Sequence, residues 1–157
     1  MQLRVTLRRW LWVAARSIAV GWAVLIALTY LAERPLFFLT APIVGAHWVA
    51  TAGLALNCLK LAATGWAIGR LHRKAPLTGV LAFAVTLCLF DLEPWLPVDF
   101  PGLMRLATDA LHDPRYWGSL AIMVTQHAFL IGSLIAGGLL SRPPQPPLSL
   151  FGEAQRS

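Results

Sequence analysis

Four long apolar stretches dominate the chain, and short polar segments separate them. They cover residues 10–32, 41–69, 75–95 and 116–140. A helix needs about 20 predominantly apolar residues to cross the hydrocarbon core of a bilayer. The third stretch meets this length only if Asp91 and Glu93 lie among the lipid headgroups. Since none of the stretches has the polar face of a helix in a soluble protein, the pattern predicts an all-α, polytopic integral membrane protein with four transmembrane helices.

The composition of the chain is also typical of a membrane protein. Hydrophobic residues make up 57% of the 157 residues and charged residues 13%, against about 25% charged residues in a soluble domain. We therefore expect a single transmembrane domain over residues 1–142, without a separate soluble domain that would hold a conventional active site. Residues 143–157 contain the segment Pro-Pro-Gln-Pro-Pro and are expected to form a disordered cytoplasmic tail.

The basic residues predict the orientation. Of the 13 Lys and Arg residues, nine fall on the side that holds both termini, three fall on the other side, and Lys60 lies inside the second stretch. Cytoplasmic loops carry the excess of Lys and Arg. Both termini are therefore expected in the cytoplasm, with a bacterial inner membrane as the location. The net charge of +6 is then explained mainly by membrane insertion and secondarily by binding to anionic lipid. We expect no nucleic-acid binding.

The first stretch is expected to remain in the protein as a helix. Residues 6–11 include the pair Arg8-Arg9 and faintly resemble a twin-arginine export signal. A cleaved secretory signal has a shorter apolar core and a small-residue cleavage site, whereas this stretch runs on to Glu33-Arg34-Pro35. Pro35 is expected to end the helix and to begin a short external loop over residues 33–40.

An amphipathic helix is predicted over residues 102–112, in the segment between the third and fourth stretches. Its apolar residues repeat at intervals of three and four and share one helix face. They are Leu103, Leu106, Ala107, Ala110 and Leu111. Such a helix lies flat at the external membrane interface in one interpretation and caps the end of the helix bundle in the other, and the sequence does not separate the two.

Small residues mark candidate packing surfaces. Ala15, Ala19, Ala23 and Ala27 recur every four residues in the first stretch, and Gly65 and Gly69 form a GxxxG pair in the second. Stripes of this kind allow helix backbones to approach closely in a membrane. Packing within the four-helix bundle is the favoured interpretation, and association with a partner protein or a second copy is the alternative.

Lys60 is the most informative single residue, because a lysine inside a membrane helix costs about 2.5–3.5 kcal/mol on insertion scales. The sequence favours a lysine that extends to the cytoplasmic headgroups, with sharing by Asn57, one turn away, as the alternative. No acidic residue lies inside a predicted span, so no intramembrane ion pair is expected. Gln126 and His127 form a second polar pair, expected to face the bundle and to hydrogen-bond across helices.

A third group of polar residues is expected at the external surface. His47, Asp91 and Glu93 fall at similar heights near the outer ends of the second and third stretches. Their spacing matches no metal motif, and no nucleophile motif or cofactor fingerprint is present. We therefore expect no metal, no cofactor and no enzymatic activity.

Two functions remain from the sequence. The first is a non-enzymatic accessory or scaffold protein that packs against another membrane protein, which the small-residue stripes favour. The alternative is a small oligomeric transporter or channel. A channel would need Asn57, Lys60, Gln126 and His127 on one continuous surface.

Overall fold

The computed structural model describes residues 2–40, 46–73, 75–89 and 100–142. Its elements are α1 (Gln2–Leu28), a π-helix (Thr29–Glu33), α2 (Arg34–Thr40), α3 (Ala46–Leu71), α4 (Pro76–Leu89), α5 (Phe100–His112), a 3₁₀ turn (Pro114–Tyr116) and α6 (Trp117–Leu140). Within these ranges the chain contains helices and turns and no strand. The all-α prediction is confirmed. The outer end of the third stretch and the Pro-rich tail lie outside the described residues.

The prediction that the first helix ends before Pro35 is wrong. The helix passes from α1 through the π-helix Thr29–Glu33 into α2 and ends at Thr40, so the expected loop over residues 33–40 is helical. A proline ring clashes with the carbonyl four residues before it in a regular α-helix. Here the turn widens just before Pro35, and the Arg34 N–H donates to the Thr29 carbonyl five residues back. This wider turn accommodates the proline without breaking the helix.

Among the residues that the structure describes, two helical segments are long and apolar enough to cross a membrane, Arg8–Leu36 and Pro114–Leu140. Within the described residues, Pro76–Cys88 is a shorter apolar helix. Helix α3 has 26 residues but is not one of the two segments, since polar residues such as Asn57 and Lys60 reduce its apolar character.

Side-chain contacts fix the directions of the long helices. Ser17 contacts His72, and Thr29 contacts Lys60, so α1 and α3 are antiparallel. A Cβ at Gly79 would meet Ser17, and one at Gly21 would meet Phe83, so α1 and α4 are parallel. The apolar core lies between α1, α3, α4 and α6. Its buried residues are Leu25, Leu61, Ile68, Val80, Phe83, Ala84, Leu87, Leu130 and Leu134.

Helices α3 and α6 run parallel and make the most extensive contact among the described helices. A Cβ at Gly65 would collide with the Leu134 carbonyl, and one at Gly69 would meet Ser141. Gly65 and Gly69 therefore let the two backbones approach within the chain, as expected from their GxxxG spacing.

The alanine stripe of α1 behaves differently. Ala15, Ala19, Ala23 and Ala27 are all exposed, because α1 packs into the bundle through the face that carries Ser17, Gly21 and Leu25. The interpretation that this stripe packs inside the bundle is therefore wrong. The other interpretation, association outside the chain, remains open.

Helix α5 packs against α6. Its Phe100 ring meets His127 edge-on with the ring centroids 5.0 Å apart, and Ala110 is buried. Leu111 on the predicted apolar face is 77% exposed, so this face only partly covers the bundle. The first residue of α5 therefore lies beside the middle of α6, since His127 is ten residues into that helix, and these contacts do not separate the two interpretations of α5. Asp113 fixes the following turn by accepting from the Arg115 N–H, and hydrogen bonds from Arg115 lower the pKa of the Asp113 carboxyl.

Candidate functional site

Lys60 lies in a buried ion pair between α3 and the π-helix. Its side chain is 2% exposed, and its ammonium donates to a carboxylate oxygen of Glu33, which is 28% exposed. The ammonium also lies 3.3 Å from the Thr29 hydroxyl oxygen. The Lys60 ammonium, the Glu33 carboxylate and the Thr29 hydroxyl together form what we call the charge pair site.

This geometry corrects three expectations about Lys60. An ion pair exists where none was expected, because the helix continues past residue 32 and carries Glu33 to the level of Lys60. The side chain does not extend to the headgroups, since it is enclosed. Asn57 does not share the charge either, and its Oδ1 atom has no hydrogen-bond partner among the described residues.

His127 faces the bundle as expected, but its hydrogen bond does not cross to another helix. Its Nδ1–H donates to the Met123 carbonyl of its own helix over 2.8 Å, and its buried Nε2 has no partner within the described ranges. Gln126 is exposed, because adjacent residues of a helix point about 100° apart. The expectation of an inward-facing Gln126–His127 pair is therefore wrong for Gln126.

Two unpaired acceptors lie at similar height on neighbouring helices. Gly65 lies against Leu134, and Gly69 lies against Ser141, so residues of α3 pair with residues of α6 about 70 positions later. Extending this register by two turns places Asn57 level with His127. With Nδ1 protonated, the neutral His127 Nε2 is an acceptor like the Asn57 Oδ1, and neither atom has a hydrogen-bond partner among the described residues.

The expected external cluster of His47, Asp91 and Glu93 is not described. Asp91 and Glu93 lie outside the described residues, and of His47 only the backbone, in α3, is described. Across the parts of the chain that the structure covers, no three His, Cys, Asp or Glu side chains converge as metal ligands.

The chain matches no protein-family model, no curated protein and no solved structure. The functional argument therefore depends on the residues themselves.

The end of the bundle near the α3–α4 turn is strongly basic. A cavity of about 430 Å³ opens there, lined by Val13, Arg70, Leu71, His72, Arg73, Ala75 and Thr78. We call it the basic cavity. Arg142 lies at the same end, because it follows Ser141, which contacts Gly69. Arg115 lies in the turn directly before α6 and so at the opposite end. The contacts thus separate these arginines in the same way as the sequence pattern does.

A hydrogen bond between α1 and the turn closes one wall of this region. The Ser17 hydroxyl donates to the Val13 carbonyl over 2.7 Å and lies 2.9 Å from His72 Nε2, from which it accepts. Gly79 makes room for this contact, since a Cβ there would lie 2.6 Å from both His72 and Ser17. Sequence reasoning missed this pair, because residues 55 positions apart carry no local signal.

Burial and the nearby Arg16 guanidinium lower the pKa of His72 below its ordinary value of 6.5. The unfolded chain therefore takes up a proton on His72 more readily than the folded chain does. His72 favours folding above its ordinary pKa, and this contribution is lost as the pH falls through that value toward the lower, folded one.

We expect unfolding in mixed micelles to become easier as the pH is lowered from 7.5 to 5.5, with a smaller pH dependence in His72→Gln. Glutamine retains a donor for Ser17 but does not titrate. His112→Gln is the control for the substitution itself, because His112 is exposed on α5, away from the α3–α4 turn. An equal pH dependence in wild type and His72→Gln would contradict the assignment.

Proposed function

We propose that the chain is a four-span integral membrane protein that serves as a non-enzymatic accessory or scaffold subunit. Both termini lie in the cytoplasm, and the membrane is a bacterial inner membrane. Its exposed alanine stripe is the surface that meets a partner helix.

The observation that carries the membrane location is the outward direction of apolar residues. The most apolar windows of Arg8–Leu36 and Pro114–Leu140 are only 17% and 22% buried. An apolar helix in the core of a soluble protein is mostly enclosed, and a soluble surface rarely exposes large continuous apolar patches. In a membrane, the acyl chains of lipids would cover such a surface and keep it from water. The exposed side chains include Leu31, Phe38, Ile122 and Phe129.

Helix directions support the four-span topology. Parallel α1 and α4, antiparallel α1 and α3, and parallel α3 and α6 are what four successive crossings would produce. The arginines near the α3–α4 turn and after α6 then share the cytoplasmic side with the amino terminus, in agreement with the positive-inside rule.

The polar interior favours a scaffold over a transporter. Lys60 is neutralised by Glu33 within the chain, and Gln126 is exposed, so these residues do not form one continuous polar surface. The alanine stripe instead presents a smooth helix face, in contrast to the large side chains exposed on α4 and α6. Close approach of a second helix is what small residues permit in a membrane.

Cysteine accessibility tests the topology. In a background without Cys58 and Cys88, single cysteines at Arg142 and Arg105 are treated with a membrane-impermeant thiol reagent in intact cells. Reaction at position 105 only, with reaction at 142 after lysis, supports the proposal. Reaction at both positions in intact cells, or the protein in the soluble fraction, would contradict it.

Site-specific crosslinking tests the scaffold role. A photo-reactive amino acid at Ala19 should yield one discrete adduct in native membranes, whereas the same probe at Val85, which is 55% exposed on α4, should yield lipid adducts only. Lipid adducts at both positions would reject the alanine stripe as an interface.

A second candidate, the small oligomeric transporter, is favoured by the unpaired Asn57 and His127 acceptors. A solute with an amino or hydroxyl group would donate hydrogen bonds to these two acceptors. The Ala19 crosslink separates the two, because an adduct between copies of the chain would favour the oligomer and justify flux measurements on His127→Leu.

A further inference from the structure

The basic cavity combines three features that a phosphate-bearing ligand requires. Arg70, His72, Arg73 and Thr78 line it, and none of its described lining residues is acidic. Its volume of about 430 Å³ falls in the usual range of about 300–1,000 Å³ for ligand pockets.

Further positive potential comes from two neighbours. Arg16 of α1 is close enough to act electrostatically on His72. The amino-terminal end of α4 begins at Pro76, between the lining residues Ala75 and Thr78, and the amino-terminal end of a helix carries a partial positive charge. An anion in the cavity would therefore interact with side chains from two helices and the turn.

Apolar residues beside the cavity indicate where the rest of the ligand lies. Val13 and Leu71 form part of its wall. On the outer face of α3, the Arg70 guanidinium lies 5.0 Å from the centre of the Trp66 ring, and Trp66 and Leu59 are exposed at 46% and 66%. An apolar track therefore leads along α3 to the cationic cavity, which is the arrangement of an acyl chain below its headgroup.

We propose that the basic cavity binds the phosphate headgroup of an anionic glycerophospholipid, with an acyl chain along the Leu59–Trp66 face of α3. This proposal rests on the membrane location proposed above. In that location the cavity faces the cytoplasmic leaflet, where anionic lipids attract basic residues.

The test measures lipid binding to the delipidated full-length chain by native mass spectrometry, with phosphatidylglycerol and phosphatidylcholine of identical acyl chains. Phosphatidylglycerol should bind at least fivefold more tightly. A hydrogen bond between a guanidinium and a phosphate contributes about 1.5 kcal/mol or more, so Arg70→Ala and Arg73→Ala should each weaken phosphatidylglycerol binding about tenfold. Arg73 is exposed in the turn, so its replacement should leave the fold intact.

Arg142→Ala is the matched control, because it removes the same charge at the same end of the bundle from outside the cavity. Its affinity for phosphatidylglycerol should stay within twofold of wild type. An equal loss in Arg142→Ala and Arg73→Ala would show diffuse attraction and overturn the site. Equal binding of the two lipids by the wild type would overturn it as well.

Competition with soluble phosphate distinguishes a lipid headgroup from a free phosphate ion as the ligand of the basic cavity. Inorganic phosphate at about 10 mM, about ten times a weak dissociation constant of about 1 mM, should leave the lipid bound. Displacement of the lipid by this phosphate would overturn the lipid assignment in favour of a free anion.

Reconstitution into phosphatidylcholine nanodiscs tests the lipid site and the membrane location separately. A chain that inserts there without preferring phosphatidylglycerol lacks the site, and a chain that fails to insert contradicts the membrane location itself.

Discussion

Replacing Lys60 with methionine should destabilise the folded chain by about 3 kcal/mol, near the lower end of the range for breaking a buried ion pair. The substitution preserves much of the side-chain volume but leaves the Glu33 carboxylate without its cation. Glu33 is 28% exposed, so water offsets part of the loss. Glu33→Gln should cost a similar amount, because it leaves a lysine that is 2% exposed without a counter-charge.

The double variant Lys60→Met/Glu33→Gln should be more stable than either single variant and within about 1 kcal/mol of wild type, because no uncompensated charge remains. The measurement is the free energy of unfolding in mixed micelles, completed as a double-mutant cycle. Arg115→Ala is the control. Its ion pair with Asp113 is exposed, so its loss should leave the free energy of unfolding unchanged. A double variant whose loss equals the sum of the single losses would contradict a direct interaction.

The same measurement separates structure from function at the charge pair site. If the pair only joins the π-helix to α3, the double variant should recover wild-type crosslinking through Ala19 along with its stability. Recovery of stability without recovery of crosslinking would instead give the charges a role in partner binding.

The sequence identified Lys60 as important, because a charge in an apolar stretch is costly wherever it lies. Its partner was not predictable in the same way. Pro35 indicates a helix end, and an ended helix would leave Glu33 in a loop. Only the π-helix Thr29–Glu33 carries the helix past the proline, and no pattern of apolar residues distinguishes that wider turn from a break.

The small-residue repeats show a similar division. Their spacing correctly predicted that Gly65 and Gly69 lie in a helix–helix contact. The same spacing occurs in the alanine stripe, which is exposed. A four-residue repeat of small residues indicates only that one helix face lacks large side chains. Which face packs against the bundle depends on long-range contacts such as the one between Ser17 and His72.

Helix α6 provides the second large expected effect. Gly137→Ala should destabilise the fold by about 1–3 kcal/mol, the usual cost of overpacking a close contact. The added methyl group would collide with the backbone carbonyl of Ala62, which cannot move aside as a flexible side chain does. Gly65→Ala should cost a similar amount, because its methyl group would meet the Leu134 carbonyl from the other side of the same interface.

Gly132→Ala is the matched control on the same helix, since a Cβ there has no neighbour within 4 Å. Alanine favours a helix over glycine by about 0.5–1 kcal/mol, so this variant should be neutral or slightly more stable. The measurement is again the free energy of unfolding in mixed micelles, with circular dichroism as a check that both variants are helical. Equal losses in Gly132→Ala and Gly137→Ala would mean that glycine acts through helix flexibility. A loss confined to Gly137 and Gly65 would mean that direct backbone contact holds α3 and α6 together, because of the three variants only those two add a methyl group between the helices.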